Sequence, residues 1–262
     1  MDKKILNEQL NRLNTPCKVY AFDSLESTNT TAKEFVRNGA EEFTLIITDY
    51  QTKGRGRMGR SFYSPDKSGI YLSIITRPKF KSEDVLLITP ATAVGVSNAL
   101  INSFGCQAQI KWVNDIYINN LKVCGILTES ALKADGFAKY AVIGIGINMT
   151  SPAEGFPKEL SGIAGAVFSS APPCSREEFA ATIISNVIKV YKDLPKTDFV
   201  STYRSRSYLT DKTVTLHNGK AAIVRSIGDR CELIVEHADK TLERITSSEV
   251  SVKLSSQSNI SE

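Results

Sequence analysis

The sequence predicts an α/β (α+β) fold, in which a mixed β-sheet flanked by helices is followed by a small all-β module. Two observations carry this prediction. Strands rich in β-branched residues, such as 44–48, alternate with segments whose apolar residues recur at helical spacing, such as 83–104. From Asp211 onwards the pattern changes to short alternating strands separated by turns, of which Asn218-Gly219 is one.

The length of the chain agrees with two domains of unequal size. It has 262 residues, of which 42% are hydrophobic and 23% are charged, as in an ordinary globular protein. We expect a large domain over 1–210, a β domain over 211–255 whose last strand includes Glu249-Val250-Ser251, and a flexible tail over 256–262.

The predicted helices are marked by capping and stop signals. Gly39 ends a helix that begins after a cluster of N-cap residues, and Ser175-x-x-Glu178 is a capping box. Pro90 is expected to split or kink the long apolar segment in which it lies. The helices predicted in this way lie within 1–18, 26–39, 83–104, 175–191 and 197–206.

The predicted strands are short runs of β-branched and apolar residues. Asn119-Asn120 separates two of them and predicts a hairpin. A later run with two glycines predicts a central strand. The strands predicted in this way are 44–48, 70–76, 109–113, 115–118, 122–127 and 140–148.

The charge of the chain is concentrated in one segment. The net charge is +4, from 32 cations against 28 anions. The segment Lys53–Arg60 holds four cations and no acid, and the rest of the chain is balanced at 28 of each. Because an extended nucleic-acid face needs a wide basic stripe, this distribution favours a focused site for a small anion.

The cysteines and histidines exclude several chemistries. The five cysteines include no C-x-x-C pair, and the two histidines, His217 and His237, lie in turn-like contexts near the C-terminus. We therefore expect neither a disulfide framework nor a zinc site, and no mechanism that needs a histidine. We see no signal-peptide core, and we expect no apolar run near the roughly 18 residues of a membrane span. The chain is predicted to be cytoplasmic.

The segment Gln51–Arg60 is the sharpest signal for a binding site. Its glycines free the backbone to expose N–H groups, and its alternating arginines add fork-shaped donors, which suits a phosphate or a carboxylate. A flexible solvated loop is a rival interpretation, and so is an RGG-like RNA-binding tract, although such tracts are long and interleaved with aromatic residues. Gly54-x4-Gly59-Arg60-Ser61 nearly matches a P-loop, but the required helix does not follow.

Three shorter segments either serve the same site or are purely structural. Lys111-Trp112-Val113-Asn114-Asp115 places a lysine at a strand end, where its ammonium neutralises an anion or faces water. In Gly144-x-Gly146-x-Asn148 the glycines let a flat group or another backbone approach the strand, and no dinucleotide-binding turn follows. Ser27-Thr28-Asn29 supplies short polar groups or simply caps a helix.

In this order, these segments resemble one family, the biotin–protein ligases. The resemblance spans 20–255 and rests above all on G-R-G-R-x-G-R at 54–60 combined with K-W-x-N-D at 111–115. Further matching segments are Glu26-Ser27-Thr28-Asn29, the Ser64-Pro65 turn, Cys124-Gly125-Ile126-Leu127-x-Glu129 and Ile143–Asn148.

The resemblance implies a catalytic domain like that of class II aminoacyl-tRNA synthetases and a C-terminal SH3-like β-barrel. It implies that biotin is activated with ATP to biotinyl-5′-AMP and passed to one lysine of a biotin carboxyl carrier protein, a subunit of acetyl-CoA carboxylase or of another biotin-dependent carboxylase. Joining a carboxylate to a phosphate brings two anions together, so the site must supply cations, and Mg²⁺ would offset the remaining triphosphate charge.

The resemblance also implies roles for individual residues. Lys111 and Arg57 are the expected catalytic residues, and no metal-ligating residue is expected. The expected ATP-binding residues are Arg57, Arg60, Phe62 and Asn148. The expected biotin-binding residues are Ser27, Thr28, Asn29, Gln51, Arg55, Gly56, Arg57, Lys111, Gly125, Gly144 and Gly146.

The chain departs from the family pattern at three positions. Phe62 stands where the family usually has Trp, Val113 where it has Pro, and Cys124 where it has Gly or Ala, which we expect to affect substrate affinity more than the reaction. Because the catalytic pattern starts almost at once, we expect no N-terminal DNA-binding domain and no DNA binding. The alternatives are a lipoate–protein ligase on the same fold and a non-catalytic module that binds or senses biotin.

Overall fold

The main β-sheet has seven strands in the order β1-β2-β3-β7-β6-β5-β4. β1 and β2 run parallel and the other neighbours run antiparallel, which confirms the predicted mixed sheet. The structure is a computed structural model that describes residues 1–246 and 253–254. The seven strands are β1 (Lys18–Leu25), β2 (Thr44–Gln51), β3 (Gly69–Thr76), β4 (Gln109–Lys111), β5 (Asp115–Ile118), β6 (Leu121–Leu132) and β7 (Ala138–Asn148).

Helices cover both faces of this sheet, because alternate residues of its central strands are apolar on both sides. Ile70, Leu72 and Ile74 of β3 pack in the larger core, which also holds α4 and α5, whereas Ile75 packs with α2 on the opposite face. The helices are α1 (Lys3–Arg12), α2 (Thr28–Arg37), α3 (Ser82–Val85), α4 (Ile88–Phe104), α5 (Arg176–Lys192) and α6 (Phe199–Ser205).

The predicted break in the 83–104 segment occurs at Leu86 and Leu87, between α3 and α4. Pro90 explains its position, since proline has no N–H to donate to the carbonyl four residues earlier, that of Leu86. The expectation that no apolar run reaches membrane-spanning length is wrong for Ser82–Phe104, which is long and apolar enough. In the most apolar 18-residue stretch of this segment, 72% of the residues are buried inside the protein. Its composition is therefore that of a helix in the protein core.

The strand predicted over 109–113 ends at Lys111. Lys111 pairs with Asp115 across the β4–β5 hairpin, so residues 112–114 form the turn that connects the two strands. The next hairpin is as predicted, because Asn119 and Asn120 both take positive φ values, 50° and 62°, as a type I′ turn requires.

The C-terminal part is a five-stranded antiparallel sheet in the order β11-β10-β9-β8-β12, which confirms the predicted all-β module. The predicted strand residues Glu249–Ser251 and the tail 256–262 lie outside the described residues. The domain boundary at 210/211, the SH3-like closure and the likeness to class II aminoacyl-tRNA synthetases stay predictions. The strands are β8 (Thr213–Thr215), β9 (Ala221–Ile227), β10 (Leu233–Glu236), β11 (Leu242–Ile245) and β12 (Lys253–Leu254).

Candidate functional site

A first cavity lies where the start of α2, the 51–62 loop and the strands β6 and β7 meet. About 460 Å³ of empty space lies within it, part of which is open to solvent. Its wall combines polar groups, four glycines and two arginines. The lining residues are Ser27, Thr28, Asn29, Gln51, Arg55, Gly56, Arg57, Phe62, Asn114, Lys122, Gly125, Ile126, Leu127, Gly144, Ile145 and Gly146.

The polar end of this first cavity is organised by Ser73, which is fully buried on β3. Its hydroxyl contacts Thr28 Oγ1 at 2.8 Å and Asn29 Oδ1 at 2.6 Å. Gln51 Oε1 accepts hydrogen bonds from the backbone N–H and the hydroxyl of Thr28, at 2.9 and 3.2 Å, and so takes the place of a side-chain cap on α2. Ser27 occupies the N-cap position, but its side chain makes no cap bond.

The glycines of β6 and β7 leave room for these side chains. A Cβ built on Gly144 would overlap the Asn29 amide, whose Cγ would be 2.9 Å away. A Cβ built on Gly146 would lie 2.7 Å from Cζ of the Phe62 ring, and one on Gly125 would lie 3.1 Å from its Cε2. Since real Cβ atoms essentially never come within 3.0 Å of such atoms, Asn29 depends on Gly144 and Phe62 on Gly146, while the contact at Gly125 would only be tight.

The loop over the first cavity is a short hairpin. The Gly56 N–H donates to the Arg60 carbonyl at 2.7 Å, and the Phe62 N–H donates to the Gly54 carbonyl at 2.9 Å. Met58 at its tip has a φ of 56° and is 62% exposed. Arg55, Arg57 and Phe62 of this loop thus line the first cavity, while its tip is exposed to solvent.

A second cavity of about 690 Å³ adjoins the first on the side of the β4–β5 turn. Of the residues that the structure describes, four cations and one carboxylate line it, and that carboxylate, Asp115, is paired with Lys122 at 2.8 Å. This excess of positive charge suits a ligand with several negative charges. The lining residues are Gly56, Arg57, Met58, Arg60, Ser61, Phe62, Lys111, Trp112, Asn114, Asp115 and Lys122.

Burial sets the electrostatics of this second cavity. It lowers the pKa of Arg57. It also lowers the pKa of Lys111, although the charge of Asp115 opposes this effect. The nearby charges of Lys122, Lys212 and Arg60 lower the pKa of Lys111 further. Cations in this state are incompletely solvated, so an arriving anion replaces lost hydration.

Five residues border both cavities: Gly56, Arg57, Phe62, Asn114 and Lys122. Arg57 Nη1 donates to Asn114 Oδ1 at 3.3 Å, and Asn114 Nδ2 donates to the Ile126 carbonyl at 2.9 Å, so the loop and the turn are joined at this border. Two ligands placed in the two cavities would meet beside the charges of Arg57 and Lys122.

Residues 21–148, which carry most of both cavity walls, match the sequence profile of the biotin/lipoate A/B protein ligase family. The chain carries a biotin/lipoate A/B protein ligase domain. Together with the relatives and solved structures below, this match confirms the resemblance to biotin–protein ligases predicted from the sequence.

Two relatives of this ligase-family domain align with the chain over part of their length. The bifunctional ligase/repressor BirA of Bacillus subtilis is 41% identical over 149 residues, which cover 57% of this chain and 46% of that protein. The biotin–[acetyl-CoA-carboxylase] ligase of Paracoccus denitrificans is 32% identical over 127 residues, which cover 47% of this chain and 51% of that protein. The aligned region thus spans about half the length of these relatives.

Solved structures agree with the fold of the ligase-family domain and the module that follows it. The biotin protein ligase of Aquifex aeolicus in complex with biotin and ATP superposes with a TM-score of 0.76 at 23% identity, covering 91% of this chain and 99% of that one. The Leishmania major enzyme with biotinyl-5-AMP gives 0.60 at 19% identity, covering 88% and 100%. At these identities the likeness establishes the fold.

The structure brings most of the predicted site residues of the ligase-family domain together. All the predicted biotin-binding residues except Lys111 line the first cavity, and Lys111 lines the second with Arg57, Arg60 and Phe62. Asn148 lines neither: it is 8% exposed, and its Nδ2 donates to the Gly165 carbonyl at 2.9 Å. The roles of all these residues stay predictions.

Sequence reasoning missed Lys122 and Ser73, and it did not assign Asn114 a role. Lys122 is the lysine that borders both cavities, and it stands three residues before Gly125 in a strand that is otherwise mostly apolar. That unusual position was the available signal. Ser73 gave none, because a serine in a buried strand has no pattern of its own.

Proposed function

We propose that the chain is an ATP-dependent ligase that activates biotin to biotinyl-5′-AMP and transfers the biotinyl group to a lysine of a biotin carboxyl carrier protein. The observation that carries the proposal is the pair of adjoining cavities: one has a neutral polar end, the other is cationic, and Arg57 and Lys122 stand at their border. A carboxylic acid and a nucleotide bound in them would meet at that border.

The hydrogen-bonding groups that line the first cavity support the proposal that the acid is biotin. The ureido group of biotin has one carbonyl acceptor and two N–H donors. Both protons of the Asn29 amide nitrogen are used internally, on Leu127 O and Glu129, and its oxygen accepts from Ser73, so a second lone pair of that oxygen is left to accept from a ligand. Among the described residues, the Ser27 hydroxyl has no hydrogen-bond partner and is left to donate. A donor and an acceptor at one end match the ureido group.

The first step joins two anions. A biotin carboxylate oxygen attacks the α-phosphorus of ATP, the bond to the bridging oxygen breaks, and pyrophosphate leaves with its electron pair. Arg57 and Lys122 neutralise charge where the new bond forms, and Lys111 and Arg60 face the triphosphate. Among the described residues the second cavity has one carboxylate, Asp115, and it is already paired with Lys122, so we propose that Mg²⁺ arrives bound to the triphosphate as part of the substrate.

In the second step the neutral amine of the carrier lysine attacks the acyl carbon. The bond to the phosphate oxygen breaks, AMP leaves, and the amine loses a proton to solvent or to a nearby base. No covalent enzyme intermediate is needed, which agrees with a sequence of only two histidines. A cytoplasmic location, where carrier and ATP are found, and the absence of DNA binding stay predictions.

The test is incubation with ATP, Mg²⁺, biotin and a purified carrier domain, followed by intact-mass measurement. We expect the mass of one biotinyl group on the carrier, and pyrophosphate release that depends on biotin. Lipoate in place of biotin is expected to release little pyrophosphate, and a carrier whose acceptor lysine is replaced by arginine should remain unmodified. Biotin binding without pyrophosphate release would refute the proposal and favour a binding module.

A further inference from the structure

Glu129 is a charged residue beside the first cavity that the proposed reaction does not use. It lies on β6, two residues beyond Leu127 of the cavity wall, and its side chain is 22% exposed. Three side chains from two other parts of the chain converge on its carboxylate. These are Asn29 at 2.9 Å, Lys33 at 3.0 Å and Arg55 at 3.1 Å.

The contact with Asn29 fixes which way the amide faces. Nδ2 donates to Glu129 Oε2 and to the Leu127 carbonyl, while Oδ1 accepts from the buried Ser73 hydroxyl. With the NH₂ group held on the β6 side, the oxygen must face β3 and the cavity. The Glu129 carboxylate, which makes the shorter of the two bonds to the NH₂ group, thus helps to set the acceptor that the cavity offers to a ligand.

The contact with Arg55 ties the loop to the sheet. Arg55 is 46% exposed and lies at the start of the loop hairpin, where its Nη1 is within 3.3 Å of both carboxylate oxygens. Its guanidinium has five N–H donors, so others remain for a ligand. The other ion pair at the base of this loop, Lys53–Glu26, has side chains 71% and 63% exposed and is outside the cavity lining. Such an exposed pair contributes little.

We propose that Glu129 is a positioning residue for the first cavity, acting through the Asn29 amide and the Arg55 guanidinium to hold the ureido acceptor and the loop in place before the acid binds. The inference rests on the proposed function for the identity of that acid. It makes no claim about the nucleotide, because Glu129 and its partners Asn29, Lys33 and Arg55 do not line the second cavity.

The charge state of Glu129 agrees with this role. Burial raises the pKa of its carboxyl, but hydrogen bonds from Asn29 and Lys33 and the charges of Lys33 and Arg55 outweigh that effect and hold the pKa below its usual value. The group is thus an acceptor for all three donors at neutral pH.

The test compares Glu129→Gln with the wild type. Glutamine keeps the shape but presents an NH₂ group and no charge to Arg55 and Lys33. We expect the KM for biotin to rise about tenfold, the cost of one or two polar contacts, with kcat and the KM for ATP changed less than about twofold. Glu129→Asp keeps the charge on a shorter side chain. We expect its KM for biotin to lie between those of the wild type and Glu129→Gln. Glu26→Gln, which breaks the exposed Lys53 pair, is the matched control and should behave as wild type.

A second measurement needs neither substrate. The rate of tryptic cleavage within 53–60 of the unliganded protein should rise several-fold in Glu129→Gln and stay unchanged in Glu26→Gln. Equal increases in the KM for biotin and for ATP, or an unchanged cleavage rate, would overturn the inference. If the wild type releases no biotin-dependent pyrophosphate, the proposed function fails, while the cleavage rates still decide whether Glu129 holds the loop.

Discussion

Trp112 donates its indole N–H to the backbone carbonyl of Cys231 at 2.8 Å, so the β4–β5 turn is fixed to the C-terminal sheet. Both residues are buried. The turn that holds Cys231 is itself tied to α3, because Arg230 donates to Asp84 Oδ1 at 2.7 Å and to the Glu83 carbonyl at 3.1 Å. The C-terminal sheet is thus part of the support of the second cavity, which Trp112 lines.

The first prediction concerns this hydrogen bond. Trp112→Phe leaves the Cys231 carbonyl without its donor, which should lower the free energy of unfolding by about 1–3 kcal/mol. Because Trp112 lines only the second cavity, the KM for ATP should rise while the KM for biotin stays constant. Steady-state kinetics with each substrate varied in turn checks this. Arg225→Met, whose partner Glu236 belongs to the same sheet, is the control and should change neither KM. A rise in the KM for biotin alone would contradict the assignment.

The second prediction separates the two lysines. Lys122 borders both cavities, so Lys122→Met should lower the rate of adenylate formation by about a hundred- to a thousandfold, as loss of a transition-state contact does. Lys111 lines the second cavity alone, so Lys111→Met should act mainly on the KM for ATP. Single-turnover formation of biotinyl-5′-AMP measures both effects. If the larger loss of rate occurs in Lys111→Met, the sequence-based assignment of the catalytic lysine is the better one.

The third prediction tests the glycine beneath Asn29. Gly144→Ala should destabilise the protein by about 1–3 kcal/mol, because its Cβ overlaps the Asn29 amide, and should weaken biotin binding. In an Asn29→Ala background the same change should cost much less, giving a coupling energy of about 0.5–3 kcal/mol. Urea unfolding of the four proteins measures it. Additive effects would show that something other than Asn29 fills the space above Gly144.

The fourth prediction concerns the loop hairpin. The base of the loop is held by the Arg55–Glu129 pair, but its tip is exposed, so amide exchange over 57–60 should be faster in the free protein than with biotin and ATP bound. Hydrogen–deuterium exchange read by mass spectrometry checks this, with α5 as an internal reference that should not change. Equal exchange with and without the two compounds would contradict ordering by the ligand.

The fifth prediction is a pH dependence at Asp49, which is buried next to Arg176 at 2.8 Å and the Met1 ammonium at 2.7 Å. Burial raises the pKa of this carboxyl, but these two cations outweigh it and hold the pKa below its usual value. A carboxyl whose pKa is lowered in the folded state stabilises the fold at pH values above its unfolded-state pKa, about 4. This stabilisation is lost as the pH falls through the pKa of the folded state. Asp49→Asn should therefore cost stability at neutral pH, and the difference from wild type should shrink in acid. Urea unfolding from pH 2 to pH 7 would show a constant difference if the carboxyl were not ionised.

The sequence was sufficient to predict those site residues that lie in short local motifs. Ser27, Gly56 and Gly144 could be found because each lies in a motif whose neighbours point to the same site. Lys122 could not, because its position depends on the register of β5 with β6, which sets it opposite Tyr117 and within reach of Asp115. Register depends on the whole sheet rather than on any local pattern.

Two other differences also arise from tertiary structure. Asn148 follows Gly144 and Gly146 on the same face of β7, so alternation predicts it in the same site. The chain then returns over its end, where Asn148 bonds to Gly165, which no local pattern in 149–168 indicates. Hydropathy likewise cannot tell a helix buried in a core from one in a bilayer, as Ser82–Phe104 illustrates.

The border formed by Phe62 and its four companions has a consequence for inhibitor design. Because the two cavities share these five lining residues, one elongated molecule with a short flexible tether should reach both at once. Once one end has docked, the other experiences an effective concentration in the millimolar range, so avidity exceeds the affinity of either fragment without any new contact.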